Sequence, residues 1–216
     1  MKEVFCVGYV NGIDFLKNSL ECYRLHFSDI RIINNSLKPI DIPSYDNVTI
    51  IDIPVPLNTA QTVNWARHIA ISEGFDVLWM AHHDMTITEE MVLFSKQKVL
   101  DIYNSGEKWG VVFTLYDVFC AFNVEALVNV GGWDSLRFMY YTGDVDFYGR
   151  LSRDGWKVKD IGNEGIWHHG SGVTRTDEER ASVVQHIANL ERILYIEKWE
   201  EDEIMKNRLD GGDMIW

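Results

Sequence analysis

The sequence is poor in the features that would mark a membrane, secreted or nucleic-acid-binding protein. No apolar stretch reaches the roughly 18 residues that a membrane span requires, so no transmembrane segment is expected. The opening residues, Met1-Lys2-Glu3-Val4-Phe5, run directly into a strand-like segment, so no signal peptide is expected. Cysteine is sparse. Cys6, Cys22 and Cys120 are odd in number and scattered, which points to free thiols in a reducing cytoplasm. Basic residues are outnumbered, with 20 Lys and Arg against 33 Asp and Glu, and the net charge is −13. A broad nucleic-acid surface would need clustered Lys and Arg, so no stable nucleic-acid partner is expected, although a small basic groove is compatible with this balance. An acidic protein that handles anionic substrates usually needs a cation to neutralise them, which favours a divalent metal. Internal repeats and low-complexity linkers are also lacking, and one domain is expected.

What is present is a soluble-type composition, 46% hydrophobic and 25% charged over 216 residues, enough for one substantial core. Val4–Val10 is a buried strand by its Val and Phe content and ends at the turn signal Asn11-Gly12. Asp14–Phe27 reads as a helix with Phe15, Leu16, Leu20 and Tyr23 on one stripe. Strands follow at Asp29–Ile33 and Val48–Ile53. Asn58 or Thr59 caps a helix that runs to about Glu73, with Gly74 as its stop. Asp76–Asp84 is an apolar strand, Glu89–Tyr103 a helix and Trp109–Leu115 a strand. Ala121–Val130 mixes both signals. Strands alternating with helices indicate a parallel sheet covered on both faces. Thr176-Asp177-Glu178-Glu179 is a capping box that opens a helix to about Trp199, with Val183, Val184, Ile187, Leu190, Ile193 and Leu194 expected on its inner face.

Four clusters carry chemistry. His82-His83-Asp84 ends an apolar strand with three potential metal ligands, a common way to build a metal or diphosphate site, and equally fits an ordinary strand-to-loop transition. Gly131-Gly132-Trp133-Asp134 precedes Tyr140-Tyr141-Thr142-Gly143-Asp144-Val145-Asp146-Phe147. Its two carboxylates at i, i+2 beside glycine and aromatics suit general-base work next to a sugar, more than a solvated turn does. Trp167-His168-His169-Gly170 offers a His after an apolar strand, either a ligand or a structural residue. Arg67, which helical spacing brings near Asn64 and His68, suits a diphosphate or a bridging carboxylate and also fits a surface position.

In this order and spacing the clusters resemble the GT-A-fold glycosyltransferases of the family-2 type, with echoes of the β-galactosyltransferases. The likeness runs from Val4 to about Trp199. Ile32-Ile33-Asn34-Asn35-Ser36 resembles the family's second-strand end, Ala66-Arg67-His68-Ile69-Ala70 its Ala-Arg-Asn-x-Gly helix, and Val77 to Asp84 the strand leading into Asp-x-Asp. Val130 to Asp134 resembles Val-Gly-Gly-Phe-Asp. Gly143 to Phe147, Arg150-Leu151 and Gly155 to Val158 resemble Glu-Asp-x-Asp-Leu, Arg-Leu and Gly-Tyr-x-Ile. Trp167 to Gly172 resembles a strand-end His-His-Gly-Gly-Ser. Departures fall at His82 for the first acid of Asp-x-Asp, at Gly143 for the Glu before the catalytic Asp, and at Asn34 for the acid that commonly reads the base.

The resemblance implies an α/β, Rossmann-like GT-A domain over residues 1–199 with a mostly parallel central sheet, followed by a tail over 200–216. It implies inverting transfer of a sugar from a nucleotide diphosphate donor (UDP- or GDP-sugar) to a glycan-type acceptor hydroxyl. Asp144 would be the catalytic base. Asp84, His168 and His82 would hold Mn²⁺, or Mg²⁺. Val7, Tyr9, Asn34, Arg67 and His83 would line the nucleotide, and Gly132, Trp133, Asp134 and Asp146 the sugar and acceptor. Two other readings stand beside it: a metal-dependent hydrolase using the same histidines, and a non-catalytic nucleotide-sugar-binding domain.

Overall fold

The computed structural model describes residues 1–162, 164–169, 178–203 and 205. In chain order the elements are β1 (Glu3–Tyr9), α1 (Ile13–Tyr23), β2 (Ile30–Asn34), β3 (Val48–Asp52), α2 (Thr59–Ser72), β4 (Val77–His82), β5 (Met85–Ile87) and α3 (Glu89–Asn104). They continue with β6 (Trp109–Thr114), a 3₁₀ turn (Tyr116–Val118), β7 (Phe119–Asn123), α4 (Val124–Val130), α5 (Thr142–Arg153), β8 (Lys157–Asp160), β9 (Ile166–His168) and α6 (Glu178–Lys198).

The main sheet has the order β3-β2-β1-β4-β7-β6-β8. The strands from β3 to β4 pair in parallel, β7 runs antiparallel to both of its neighbours, and β8 is again parallel to β6. The α/β architecture with a mostly parallel sheet is the one the sequence implies. The mixed signal over 121–130 resolves into strand β7 followed at once by α4, whose N-cap Asn123 accepts from the Glu125 N–H. Parallel strands buried on both faces need continuous apolar runs, and β4 and β6 supply them.

Helices α1 and α3 cover one face through Leu16, Leu20, Tyr23, Met91, Val92 and Val99. Helices α2, α4 and α5 cover the other. Ala60, Ala66 and Ala70 let α2 lie close, and Leu127, Phe147 and Leu151 come from α4 and α5. Helix α2 starts on a complete capping box, Asn58 with Gln61, and stops at Gly74 with φ 68°.

The interior face expected for α6 is corrected. Val183, Leu190 and Ile193 are 57%, 52% and 53% exposed, and among the described side chains of the helix the buried ones are Glu191 and Tyr195. The helix rests on α5 and the segment before it along one narrow line, which selects an i, i+4 pair rather than the widest apolar stripe. The capping box at Thr176-Asp177 and the Gly170-Ser171-Gly172 motif lie outside the described residues, as does the side chain of Val184. Past α6 the chain turns back, and Met205 is buried beside Phe138, Val145 and Tyr195.

Candidate active site

The parallel strands β1, β2, β4 and β6 all point their carboxyl ends to one edge of the sheet, and the strand order reverses direction between β1 and β4. Ligands of open α/β sheets bind at such a point. Tyr9 and Asn34 end β1 and β2 there, and His82-His83-Asp84 leaves β4. The β6–β7 turn lies at the same edge, because Ala81 pairs with Phe119.

A small two-stranded ladder completes the cluster. β5 and β9 pair antiparallel with Met85 opposite His168, so the chain after Asp84 draws His168 back onto β4. His168 Nε2 lies 3.3 Å from His82 Nδ1 and 3.2 Å from Asp84 Oδ1. One ligand atom from each of the three residues falls within 4.8 Å of the others. Burial pushes the Asp84 carboxyl up, but the bond from His168 and the charges of His168, His82 and His83 outweigh it and hold the group down at about 2. An ionised carboxylate and two imidazole nitrogens converging on one point fit a divalent ion. His169 is turned elsewhere: its ring stacks on Phe15 and faces Thr86 Oγ1 at 3.3 Å, and its backbone N–H donates to the Asp84 carbonyl.

His83 sits edge-on to Tyr9, with ring centroids 5.7 Å apart. Its Nε2 is buried with no hydrogen-bond partner among the described residues, and burial pushes its pKa down. Asn34 is spent locally. It donates to Asp52 and to the Lys38 carbonyl and accepts from Ser36, which fixes the turn after β2. The Val7 side chain is fully buried in the core, which leaves no apolar surface there for a nucleotide.

Asp144 lies in the first turn of α5, and its carboxylate accepts from the Val145 N–H at 2.8 Å. Desolvation, and then the charge of Asp117, push its carboxyl up to about 7, against the bonds from Val145 and the Tyr116 hydroxyl. Tyr116 and Asp117 belong to the β6–β7 turn. Leu115 and Tyr116 there have φ 44° and 53°, left-handed values rare for non-glycine residues and costing roughly 1–3 kcal/mol each. Sequence reasoning missed this turn. Its signal was available, an acid just beyond an apolar strand, as at His82-His83-Asp84.

Several expected contacts are corrected. On a helix, i and i+2 face nearly opposite ways, so Asp146 points away from Asp144 into the protein. It is 0% exposed and bonded to Arg150 Nε at 2.8 Å, Trp199 Nε1 at 2.9 Å and Lys198 Nζ at 2.8 Å. Trp133 is buried, its ring stacked on Phe147 at 3.8 Å. Asn64 clamps the Trp133 backbone, accepting from its N–H and donating to its carbonyl, both at 2.9 Å. A Cβ on Gly132 would stand 2.2 Å from Asn64 Oδ1, so that glycine is required by the clamp rather than by a sugar. Arg67 donates to the Leu127 carbonyl at the end of α4, beside Arg150, which holds the Val130 and Gly132 carbonyls. The side chains that act on the Asp84 carboxyl are those of His168, His82 and His83, not Arg67. Asp134 is partly exposed and pairs with Arg137 and Lys198, each at 3.0 Å.

No protein-family model matches the chain, and no curated protein matches its sequence. Solved structures do match in fold. The catalytic domain of Drosophila β1,4-galactosyltransferase 7, in complex with xylobiose, is 14% identical with a TM-score of 0.55, over 81% of this chain and 73% of that one. The 1–349 fragment of Staphylococcus aureus TarS is 9% identical with a TM-score of 0.60, over 97% of this chain and 71% of that one. A cytidylyltransferase from Leptospira borgpetersenii is 14% identical with a TM-score of 0.53, over 96% and 98%. The chain has the GT-A fold.

Proposed function

We propose that the protein transfers a sugar, with inversion, from a nucleoside diphosphate sugar to an acceptor hydroxyl. The observation that carries this reading is the placement, on one edge of a GT-A sheet, of the Asp84–His168–His82 cluster and of an acid held near neutrality, Asp144. The structural neighbours include a galactosyltransferase, which supports the same reaction class.

Asp84, His168 and His82 would hold the ion, and their mixed nitrogen and oxygen set favours Mn²⁺ over Mg²⁺. When bound, the ion supplies positive charge against the diphosphate leaving group. His83 and Tyr9 flank the nucleotide, with the unpartnered Nε2 of His83 left to meet a polar group of the ligand. Asp144 takes the proton of the acceptor hydroxyl as that oxygen forms its bond to the anomeric carbon, and the leaving phosphate departs from the opposite face. Asp134, partly exposed, is the sugar- or acceptor-side candidate. Gly132, Trp133 and Asp146 frame the base instead of touching substrate. UDP- or GDP-sugar is the donor class and a glycan the acceptor class. No helix among the described residues is long and apolar enough to cross a membrane. The free thiols Cys6, Cys22 and Cys120 fit a reducing cytoplasm.

Calorimetric titration with UDP and GDP, with and without Mn²⁺, tests the proposal, followed by turnover of donor sugars against glycan acceptors. Asp144→Asn is expected to lower kcat by roughly 10²–10⁴-fold and to leave nucleotide affinity within about twofold. Binding of neither nucleotide would sink the reading. Release of free sugar without need for an acceptor would favour a hydrolase, and donor binding without turnover a binding domain.

A further inference from the structure

We infer that Glu191 is the positioning acid of the site: its carboxylate, delivered by α6, fixes the first turn of α5 and so the place of Asp144. The kinetic part of this inference rests on the glycosyl-transfer reading, and the structural part stands without it.

Glu191 is 1% exposed and lies in the second half of α6, where its charged neighbours Arg192 and Glu197 are exposed and Lys198 pairs with Asp134 and Asp146. Its Oε1 accepts from the backbone N–H of Met139 at 2.7 Å and of Tyr140 at 2.9 Å. Its Oε2 accepts from Tyr141 at 2.9 Å and Thr142 at 3.0 Å. Four consecutive N–H groups thus converge on one carboxylate, at the amino end of a helix where a negative charge is favoured. Tyr141 stands at the N-cap position of α5, and its side chain makes no capping hydrogen bond to the helix. Glu191 supplies from another element what a capping Ser or Asp supplies locally.

The sequence explains why the acid arrives from outside. A Cβ on Gly143 would stand 3.1 Å from Trp133 Cδ1 and 3.5 Å from Phe138, so position 143 faces an aromatic wall and has no room for a carboxylate. Phe138 and Tyr195 close the same wall from the loop and from α6. Asp144 lies two residues beyond Thr142, whose N–H is the last that Glu191 holds. Freeing that turn would let the base drift from its place, and a misplacement of about 1 Å costs on the order of 10²-fold in rate.

The test uses Glu191→Gln and Glu191→Ala in the full chain. The Gln amide can satisfy two of the four N–H groups but sets its own N–H₂ against the other two. The Ala variant empties the nest, and formate is the soluble carboxylate that refits it. Glu191→Gln is expected to lower kcat at least about tenfold with donor KM within about twofold. Glu191→Ala is expected to lose about 100-fold, with formate and not chloride restoring at least about tenfold. Hydrogen exchange, which needs no substrate, should show faster exchange at the amides of residues 139–142 in both variants, with protection regained in formate. Unchanged exchange at those amides in Glu191→Gln would overturn the structural claim, and lost protection with unchanged kcat would overturn the positioning role. A wild-type protein that neither binds a nucleotide diphosphate nor transfers sugar would fail the functional reading instead, and the exchange measurement would still decide whether Glu191 holds the turn.

Discussion

At the scale of single residues, the site depends on two carboxylates of unlike environment. Asp84 is kept ionised by its histidines, while Asp144 is pushed up to about 7 by burial first and by Asp117 second. A base works only when deprotonated, so turnover should rise with pH along an acid limb centred near 7. Asp117→Asn removes a negative charge that opposes ionisation of Asp144. The limb should therefore move to lower pH, by roughly half to one unit, with donor KM little changed. A limb that stays in place or rises would show that Asp117 does not act on Asp144. Asp144 was named from its motif. Asp117 was signalled only as an acid beyond an apolar strand, because its meaning comes from its approach to Asp144 on α5, distant in sequence.

At the scale of elements, the two adjacent histidines of β9 are told apart by strand pairing alone. The sequence offers His168 and His169 as equals. The β5–β9 register sends one ring to Asp84 and the other to Phe15. Saturating Mn²⁺ is therefore expected to raise the melting temperature of the wild type and of His169→Ala. His168→Ala should show a much smaller shift, with Mn²⁺ affinity weakened by no less than about tenfold. Equal loss in both variants would remove His168 from the ligand set. Elements with strong local signals were legible: α2 by a cap at Asn58 and its stop at Gly74, and β4 by its apolar run. The buried face of α6 was not. Periodicity favoured Leu190 and Ile193, but burial followed Glu191, a carboxylate that only the backbone of another segment makes acceptable in the interior. Gly132 was likewise placed against the sugar, when the group that approaches it is the side-chain amide of Asn64.

At the scale of the whole molecule, the proposed reaction would set the metal and the nucleotide at the carboxyl edge of the sheet, while α6 locks the segment that leads into α5 and Asp144. The lock has two bolts. One is Glu191 on the turn before α5. The other is Lys198, which bridges Asp146 at 2.8 Å and Asp134 at 3.0 Å while Trp199 donates to the same Asp146. Asp146 has no access to water, so its charge is tolerable only while cations and donors surround it. Lys198→Met keeps much of the stem's volume and removes the charge, leaving Asp146 to Arg150 and Trp199 alone. Breaking one side of a buried pair in this way is expected to cost about 3 kcal/mol in urea denaturation. Because β1 and β4 do not depend on α6, nucleotide affinity should stay within about twofold, while hydrogen exchange along α6 and at residues 139–142 rises together. A loss below about 1 kcal/mol would place Lys198 with ordinary surface ion pairs, and a fall in nucleotide affinity of the same size as the fall in turnover would mean that the two sides of the molecule are not separable.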